Sequence, residues 1–145
     1  MSDAEEAERL TRKRAQMMPF LAVLLITQQA SFFADDGGRR VVDWGTTICW
    51  IALAAAILAA LVTGGFWFKP RAIRALMNDE VTRANRASAL TLGFVLALTA
   101  AISLYALEAF APGEATPRQA LHIVVTVGLL AAMLRFALLE RRALG

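Results

Sequence analysis

The strongest constraint on the fold is that the apolar residues are gathered in four blocks, separated by segments that hold nearly all the charge. Each block has about 20 residues, enough for a helix rising 1.5 Å per residue to cross roughly 30 Å of hydrocarbon. Hydrophobic residues make up 58% of the chain and charged residues 19%, whereas soluble domains have roughly half and a quarter. The pattern predicts a single all-α, polytopic membrane domain, residues 1–145, with a bundle of four transmembrane helices.

The blocks predict spans at about residues 17–34, 44–68, 87–109 and 120–139. The first block has no small-residue cleavage site, so we expect it to be retained rather than removed as a signal peptide. Before it, residues 2–16 are predicted to form a cytoplasmic helix, because Ser2 and Glu5 have the spacing of a capping box. Pro19, near the start of the first span, predicts a kink or the first turn of a new helix.

Residues 69–86 form the longest polar connection and are rich in basic residues. Pro70 can open a short helix there, with Ile73, Leu76 and Met77 on one face, as a helix lying on the membrane surface requires. Asn78 or Asp79 is then expected to cap the helix that becomes the third span.

The distribution of Lys and Arg predicts the orientation of the chain. Twelve lie in the N-terminal segment, the second connection and the C-terminal end of the chain, where Arg135 is counted because it lies inside the fourth span near its end, against three in the other two connections. Because cytoplasmic segments carry the excess of basic residues, both termini and the second connection are predicted to be cytoplasmic, in a bacterial inner membrane. The net charge of +3 lies beside the spans and not in a patch of its own, so no nucleic-acid partner is expected.

With this orientation, the polar residues of the spans are concentrated in the outer half of the bundle. They are Gln28, Gln29, Thr46, Thr47, Cys49, Tyr105, Glu108, His122 and Thr126. A polar group in lipid should face a partner or a cavity, so one interpretation is an outer pocket for a small molecule or lipid. Its candidate ligand-binding residues are Gln28, Gln29, Tyr105, Glu108 and His122. The alternative is that these are helix ends in water and hydrogen bonds between helices.

Several kinds of chemistry are disfavoured by the sequence. His122 is the only histidine, so two axial imidazoles for a haem cannot come from one chain, and neither a cofactor nor a metal is predicted. Cys49 is the only cysteine, which disfavours chemistry that needs a thiol pair. An enzyme using Tyr105, Glu108 and His122 as acid and base groups is the least favoured interpretation, because no nucleophile motif accompanies them. The sequence therefore predicts a non-enzymatic protein.

The second connection carries a basic surface. Its candidate contact residues are Lys69, Arg71, Arg74, Arg83 and Arg86. Such a surface can bind anionic headgroups of membrane lipids, at roughly 1 kcal/mol per basic residue, or an acidic cytoplasmic protein. The alternative is that these charges only set the topology. Runs of small residues in the second and third spans predict close helix packing, within one chain or in a homodimer.

The segment Leu76-Met77-Asn78-Asp79-Glu80, followed by Thr82-Arg83-Ala84-Asn85-Arg86 and Ala89 at the entry to the third span, resembles a group of small uncharacterised four-span bacterial membrane proteins. These proteins are often encoded beside helix-turn-helix regulators. The resemblance covers about a sixth of the chain and implies a role in sensing or in tethering a regulator, with no catalytic residues. The leading functional prediction is thus a regulatory or accessory membrane protein that engages a cytoplasmic partner through its basic connection.

Overall fold

The computed structural model describes residues 3–34, 44–65, 70–113 and 115–143. Within these ranges the secondary structure is entirely helical: α1 Asp3–Ala34, α2 Trp44–Thr63, α3 Arg71–Met77, α4 Glu80–Phe110 and α5 Pro117–Ala143. Helices α1, α2, α4 and α5 are long and apolar enough to cross a membrane. The predicted all-α fold with four candidate transmembrane helices is confirmed.

Two helix boundaries differ from the predicted ones. The N-terminal helix and the first span are one continuous 32-residue helix, which contains Pro19. Helix α2 ends at Thr63, short of the predicted boundary at residue 68, because Gly64 and Gly65 adopt left-handed backbone conformations with φ of 84° and 69°. Such conformations end a helix and are accessible to glycine at little cost. Residues 66–69, and Ser2 of the predicted capping box, lie outside the described residues.

The short helix α3 forms where Pro70 predicted it and packs on the N-terminal half of α1. The contact is a small apolar cluster made by Ala7 and Leu10 of α1 with Ile73 and Met77 of α3. Leu76, which was predicted to share the apolar face, is instead half exposed. The contact holds α3 against the part of α1 that precedes the first apolar block.

Of the two candidate caps for α4, Asp79 is the one observed. Its carboxylate accepts a hydrogen bond from the backbone N–H of Thr82 at 2.7 Å. This bond satisfies one of the amides that the first helical turn leaves without a partner.

Helix α5 is the centre of the bundle and packs against α1, α2 and α4. Its closest approach is to α4, where a Cβ added to Gly93 would lie 2.6 Å from the Gly128 carbonyl oxygen. Ala97 and Ala132 flank the same contact. The predicted close packing through small residues is therefore present within one chain, and it is strongest between α4 and α5.

The N-terminal half of α1 and the C-terminal end of α5 lie at the same end of the bundle, where Arg14 contacts Glu140. We call this the termini end. It also contains the C-terminal end of α2, helix α3 and the first turns of α4. The opposite end is formed by the C-terminal end of α1 and the first turns of α2 and α5, where Gln29, Trp50 and His122 meet.

Candidate functional site

At the termini end, helical spacing directs two charged side chains into the interior. Arg14 lies on the stripe of α1 that is buried by the bundle, four residues before Met18 and in line with Leu25. Glu140 continues the buried stripe of α5, four residues after Phe136. Arg14 is 4% exposed and Glu140 is 2% exposed. Both charges are therefore part of the core.

Arg14 and Glu140 form a buried ion pair that links four helices. Arg14 Nη2 donates to Glu140 Oε2 at 2.7 Å, and Arg14 Nη1 donates to the backbone carbonyl of Gly64, at the end of α2, at 3.2 Å. The other carboxylate oxygen, Glu140 Oε1, accepts from the amide of Asn85 on α4 at 3.3 Å. The guanidinium of Arg14 also lies 5.2 Å from the centre of the Phe136 ring. The network thus joins α1, α2, α4 and α5.

Several polar atoms around this ion pair are buried and have no hydrogen-bond partner among the described residues. They are Arg14 Nε, Asn78 Oδ1, Arg86 Nε and Arg86 Nη1. The Arg86 guanidinium lies against the end of α2, since a Cβ added to Gly64 would be 2.7 Å from Arg86 Nη1. We call Arg14, Asn78, Asn85, Arg86 and Glu140 the charged cluster. It contains two guanidinium groups and one carboxylate, and so carries a surplus positive charge.

The charged cluster borders a cavity of about 410 Å³. The cavity lies between α1, the end of α2 and α3, and Arg14, Gly64 and Asn78 are among the residues that line it. An unpaired polar group that is buried costs free energy, roughly 1–3 kcal/mol and more if it is charged. Arg14 Nε–H and Asn78 Oδ1, which have no partner in the described part of the chain, therefore belong to side chains that line a space that a ligand can fill.

At the opposite end, an aromatic stack holds the only histidine. The His122 ring lies between Phe32, with centroids 3.9 Å apart, and Trp50, with centroids 4.0 Å apart, and both contacts are stacked. Gln29 Oε1 accepts from the Thr126 hydroxyl at 3.0 Å and lies 3.3 Å from His122 Nδ1. Gln29 Nε2 and Trp50 Nε1 are buried without a partner in the described part of the chain.

The structure brings together only some of the predicted ligand-binding residues. Gln29 and His122 are in contact, and Gln28 lies partly buried next to Gln29 on α1. Tyr105 is 81% exposed on the outside of α4. Glu108 is also exposed. It accepts a hydrogen bond from the backbone N–H of Gly113 at 3.0 Å, a local contact between the end of α4 and the loop that follows it. Tyr105 and Glu108 thus lie on the surface of the bundle.

The predicted basic surface is also divided. Arg83 is exposed, whereas Arg86, one turn later on α4, is partly buried with its Nε and Nη1 atoms in the interior. Lys69 and the side chains of Arg71 and Arg74 lie outside the described residues. Two arginines of one sequence motif, three residues apart, therefore differ in exposure: Arg83 is at the surface and Arg86 is partly buried.

Sequence reasoning missed Arg14, Glu140, Asn78 and Asn85 as site residues. A signal existed on α5, because Glu140 follows His122 by about five full helical turns and so shares its face. On α1, Gln29 follows Arg14 by a little over four helical turns, so the two side chains lie on the same side of the helix. These spacings become informative once one knows which face of each helix is buried.

Among the described residues, no group of three or more His, Cys, Asp or Glu side chains is arranged to hold a metal ion. Comparisons with protein-family models, curated proteins and solved structures find no match to this chain. The resemblance to small four-span bacterial proteins therefore stays a prediction.

Proposed function

We propose that this chain is a non-enzymatic, multi-pass membrane protein that binds an oxyanion, a phosphate or carboxylate group, in the cavity at its termini end. One observation carries the proposal: Arg14 Nε, Arg86 Nε and Arg86 Nη1 are buried at this end and have no hydrogen-bond partner in the described chain. Arg14 in addition lines the cavity itself.

An oxyanion fits the charge and the donors of this site. Guanidinium groups offer N–H donors in a planar fork that matches carboxylate and phosphate oxygens. Glu140 neutralises one of the two arginines, so one bound negative charge would balance the charged cluster. Asn78 Oδ1 is an acceptor at the cavity wall and would suit a hydroxyl group on the same ligand.

The proposed setting is a bacterial inner membrane with both termini in the cytoplasm. The support is the excess of Lys and Arg in the segments at the termini end, twelve against three. In this orientation the cavity opens near the cytoplasmic headgroups, where anionic lipids and soluble phosphate esters are both available.

The proposal can be tested by calorimetric titration of methyl phosphate and of acetate into the purified chain in phosphatidylcholine nanodiscs. We expect saturable binding of at least one of these anions, weakened at least tenfold by Arg86→Gln. Arg83→Gln is the matched control, because it removes an exposed arginine one turn away on the same helix. Absence of binding to the unaltered chain, or equal weakening by the two variants, would contradict the proposal.

A second candidate function is docking of an acidic cytoplasmic protein, as the resemblance to proteins encoded beside regulators implies. The observation that favours it is an exposed basic surface at the termini end, with Arg9 and Lys13 on α1 and Arg83 on α4. Here Arg83→Glu should abolish co-purification of a cytosolic protein while the chain stays in the membrane, and Arg83→Lys should preserve it. Equal recovery of the protein with Arg83→Glu would remove this function.

The opposite end supports the alternative prediction of an outer ligand pocket less well. Both faces of the His122 ring are covered by aromatic rings of the same chain. Of the other predicted residues, Tyr105 and Glu108 lie exposed on α4. A ligand at this end would have to displace Phe32 or Trp50 before it could contact the ring faces.

A further inference from the structure

A second, apolar groove runs along the side of the bundle beside the charged cluster. It encloses about 380 Å³ between α2, α4 and α5. Leu58 and Leu61 of α2, Leu90 and Phe94 of α4, and Val125 of α5 are among its lining residues. The walls are almost entirely hydrocarbon, and the groove lies along the apolar parts of these three candidate spans.

The groove begins where the charged cluster ends. On α4, Leu90 of the groove lies one helical turn after Arg86, so the two side chains share a face. On α2, Leu61 of the groove lies three residues before Gly64, which lines the polar cavity and contacts Arg86. The Arg86 guanidinium thus lies against Gly64 at the wall of the polar cavity, and Arg86 precedes Leu90, at the near end of the apolar groove, by one helical turn.

From this continuity we infer that the natural ligand is an anionic amphiphile, whose oxyanion head binds the charged cluster and whose alkyl chain lies in the groove between α2, α4 and α5. The inference rests on the proposed anion binding and adds the chemistry of the rest of the ligand. In a membrane the groove walls face hydrocarbon, so a ligand that occupies the groove needs an apolar chain of its own. An anion with an alkyl chain attached can place its head at the charged cluster and its chain in the adjacent groove.

The groove is open to a lipid that enters it from the side of the bundle. Leu58 and Phe94 lie on the rim of the groove and are 49% and 64% exposed, so the groove opens sideways at the surface of the bundle. In a membrane that surface faces the lipid acyl chains. A lipid can therefore enter laterally, with its head at the depth of Arg86.

The test compares methyl phosphate with dodecyl phosphate, both titrated into the chain in phosphatidylcholine nanodiscs. Leu58→Trp places a bulky ring in the groove. Ile51→Trp is the matched control, since Ile51 is a similarly exposed aliphatic residue of α2 that does not line the groove. Non-specific partitioning of dodecyl phosphate into the nanodisc is the same for both variants.

We expect Leu58→Trp to weaken dodecyl phosphate binding at least tenfold while methyl phosphate binding is unchanged, and Ile51→Trp to change neither. If methyl phosphate binds but the two tryptophan variants bind dodecyl phosphate equally well, the amphiphile inference is wrong and the anion site stands. If neither phosphate binds to the unaltered chain, the anion site fails and the inference fails with it. Loss of a dimer in Leu58→Trp, seen by native mass spectrometry, would assign the groove to a second copy of the chain and overturn the inference.

Discussion

At the termini end the bundle buries two guanidinium groups and a carboxylate, whereas at the opposite end it buries an imidazole, a carboxamide and a hydroxyl. At the opposite end Gln29 Oε1, the Thr126 hydroxyl and His122 Nδ1 make contacts inside the chain, and two aromatic rings cover the imidazole. At the termini end four polar atoms of three side chains have no partner among the described residues, and two of those side chains, Arg14 and Asn78, line a cavity. The same fold thus closes one end and leaves the other incomplete.

The free-energy cost of an unpartnered buried atom differs between the two ends, because the atoms at one end are neutral and most of those at the other belong to cations. Gln29 Nε2 and Trp50 Nε1 are neutral groups without a partner in the ranges that the structure describes, and such a group costs roughly 1–3 kcal/mol. At the termini end the unpartnered donors belong to cations, for which the cost of burial without a counter-charge is larger. A bound anion would relieve that cost, which is the physical basis of the proposed function.

The largest expected effect comes from breaking the buried ion pair. Arg14→Gln leaves Glu140 buried without its counter-charge and should destabilise the chain by about 3–5 kcal/mol. Arg14→Gln combined with Glu140→Gln removes both charges and should recover much of that loss. Unfolding in mixed dodecyl maltoside and dodecyl sulfate micelles measures both. If the double variant were as unstable as the sum of the two single variants, the charges would not be paired as described.

A smaller effect is expected from the aromatic stack. His122→Ala removes the ring between Phe32 and Trp50 and should cost about 2–4 kcal/mol through lost burial and stacking. His122→Phe retains a flat ring in the same space and should restore most of this stability. The same unfolding experiment would contradict a stacking role if His122→Phe were as unstable as His122→Ala.

The end of α2 offers a matched pair of glycines. Gly64→Ala and Gly65→Ala both force a Cβ into a left-handed backbone conformation, at a cost of about 1–2 kcal/mol. At Gly64 the new Cβ would also lie 2.7 Å from Arg86 Nη1, whereas at Gly65 no atom of the described residues lies within 4 Å of it. Gly64→Ala should therefore weaken methyl phosphate binding in addition to lowering stability, and Gly65→Ala should lower stability alone. Equal binding by the two variants would mean that Arg86 is not held against Gly64.

The smallest effect is expected from Arg86 itself in the absence of ligand. Because Arg86 Nε and Nη1 have no hydrogen-bond partner in the described chain, Arg86→Gln leaves no protein partner unsatisfied there. Because the change also removes a cation that is partly buried without a counter-charge, the stability should be equal to or higher than that of the unaltered chain, and not more than about 0.5 kcal/mol below it. A loss well above 1 kcal/mol in unfolding measurements would show that Arg86 binds another part of the chain and not a ligand.

Much of the fold followed from the sequence because the membrane permits few solutions. Apolar blocks of span length, separated by charged segments, predict helices, because a helix makes all of its backbone hydrogen bonds within the segment that crosses the lipid. The short helix after Pro70 and the cap at Asp79 were predictable for the same kind of reason, since each depends on residues adjacent in sequence. The boundary of α2 was not predicted, because an apolar pattern continues past Gly64 and only the backbone conformation of the two glycines ends the helix.

The candidate site was much harder to predict than the fold. Arg14 belongs to a run of charged residues whose other members are exposed, so its charge was assigned to topology together with theirs. Its burial depends on α5 presenting Glu140 at the matching depth, 126 residues later in the chain. By contrast, the contact between Gln29 and His122 joins two of the predicted polar residues, because few polar side chains lie within the spans and they tend to face each other.

The central claim is that the termini end lacks one anion, and ligand-dependent stability tests it most directly. In dodecyl maltoside micelles, methyl phosphate at 100 times its dissociation constant should raise the free energy of unfolding of the unaltered chain by about 2.7 kcal/mol. At the same concentration a tenfold loss of affinity in Arg86→Gln should lower the gain to about 1.4 kcal/mol. A chain whose stability does not respond to methyl phosphate or acetate, or responds equally with and without Arg86, would contradict the account.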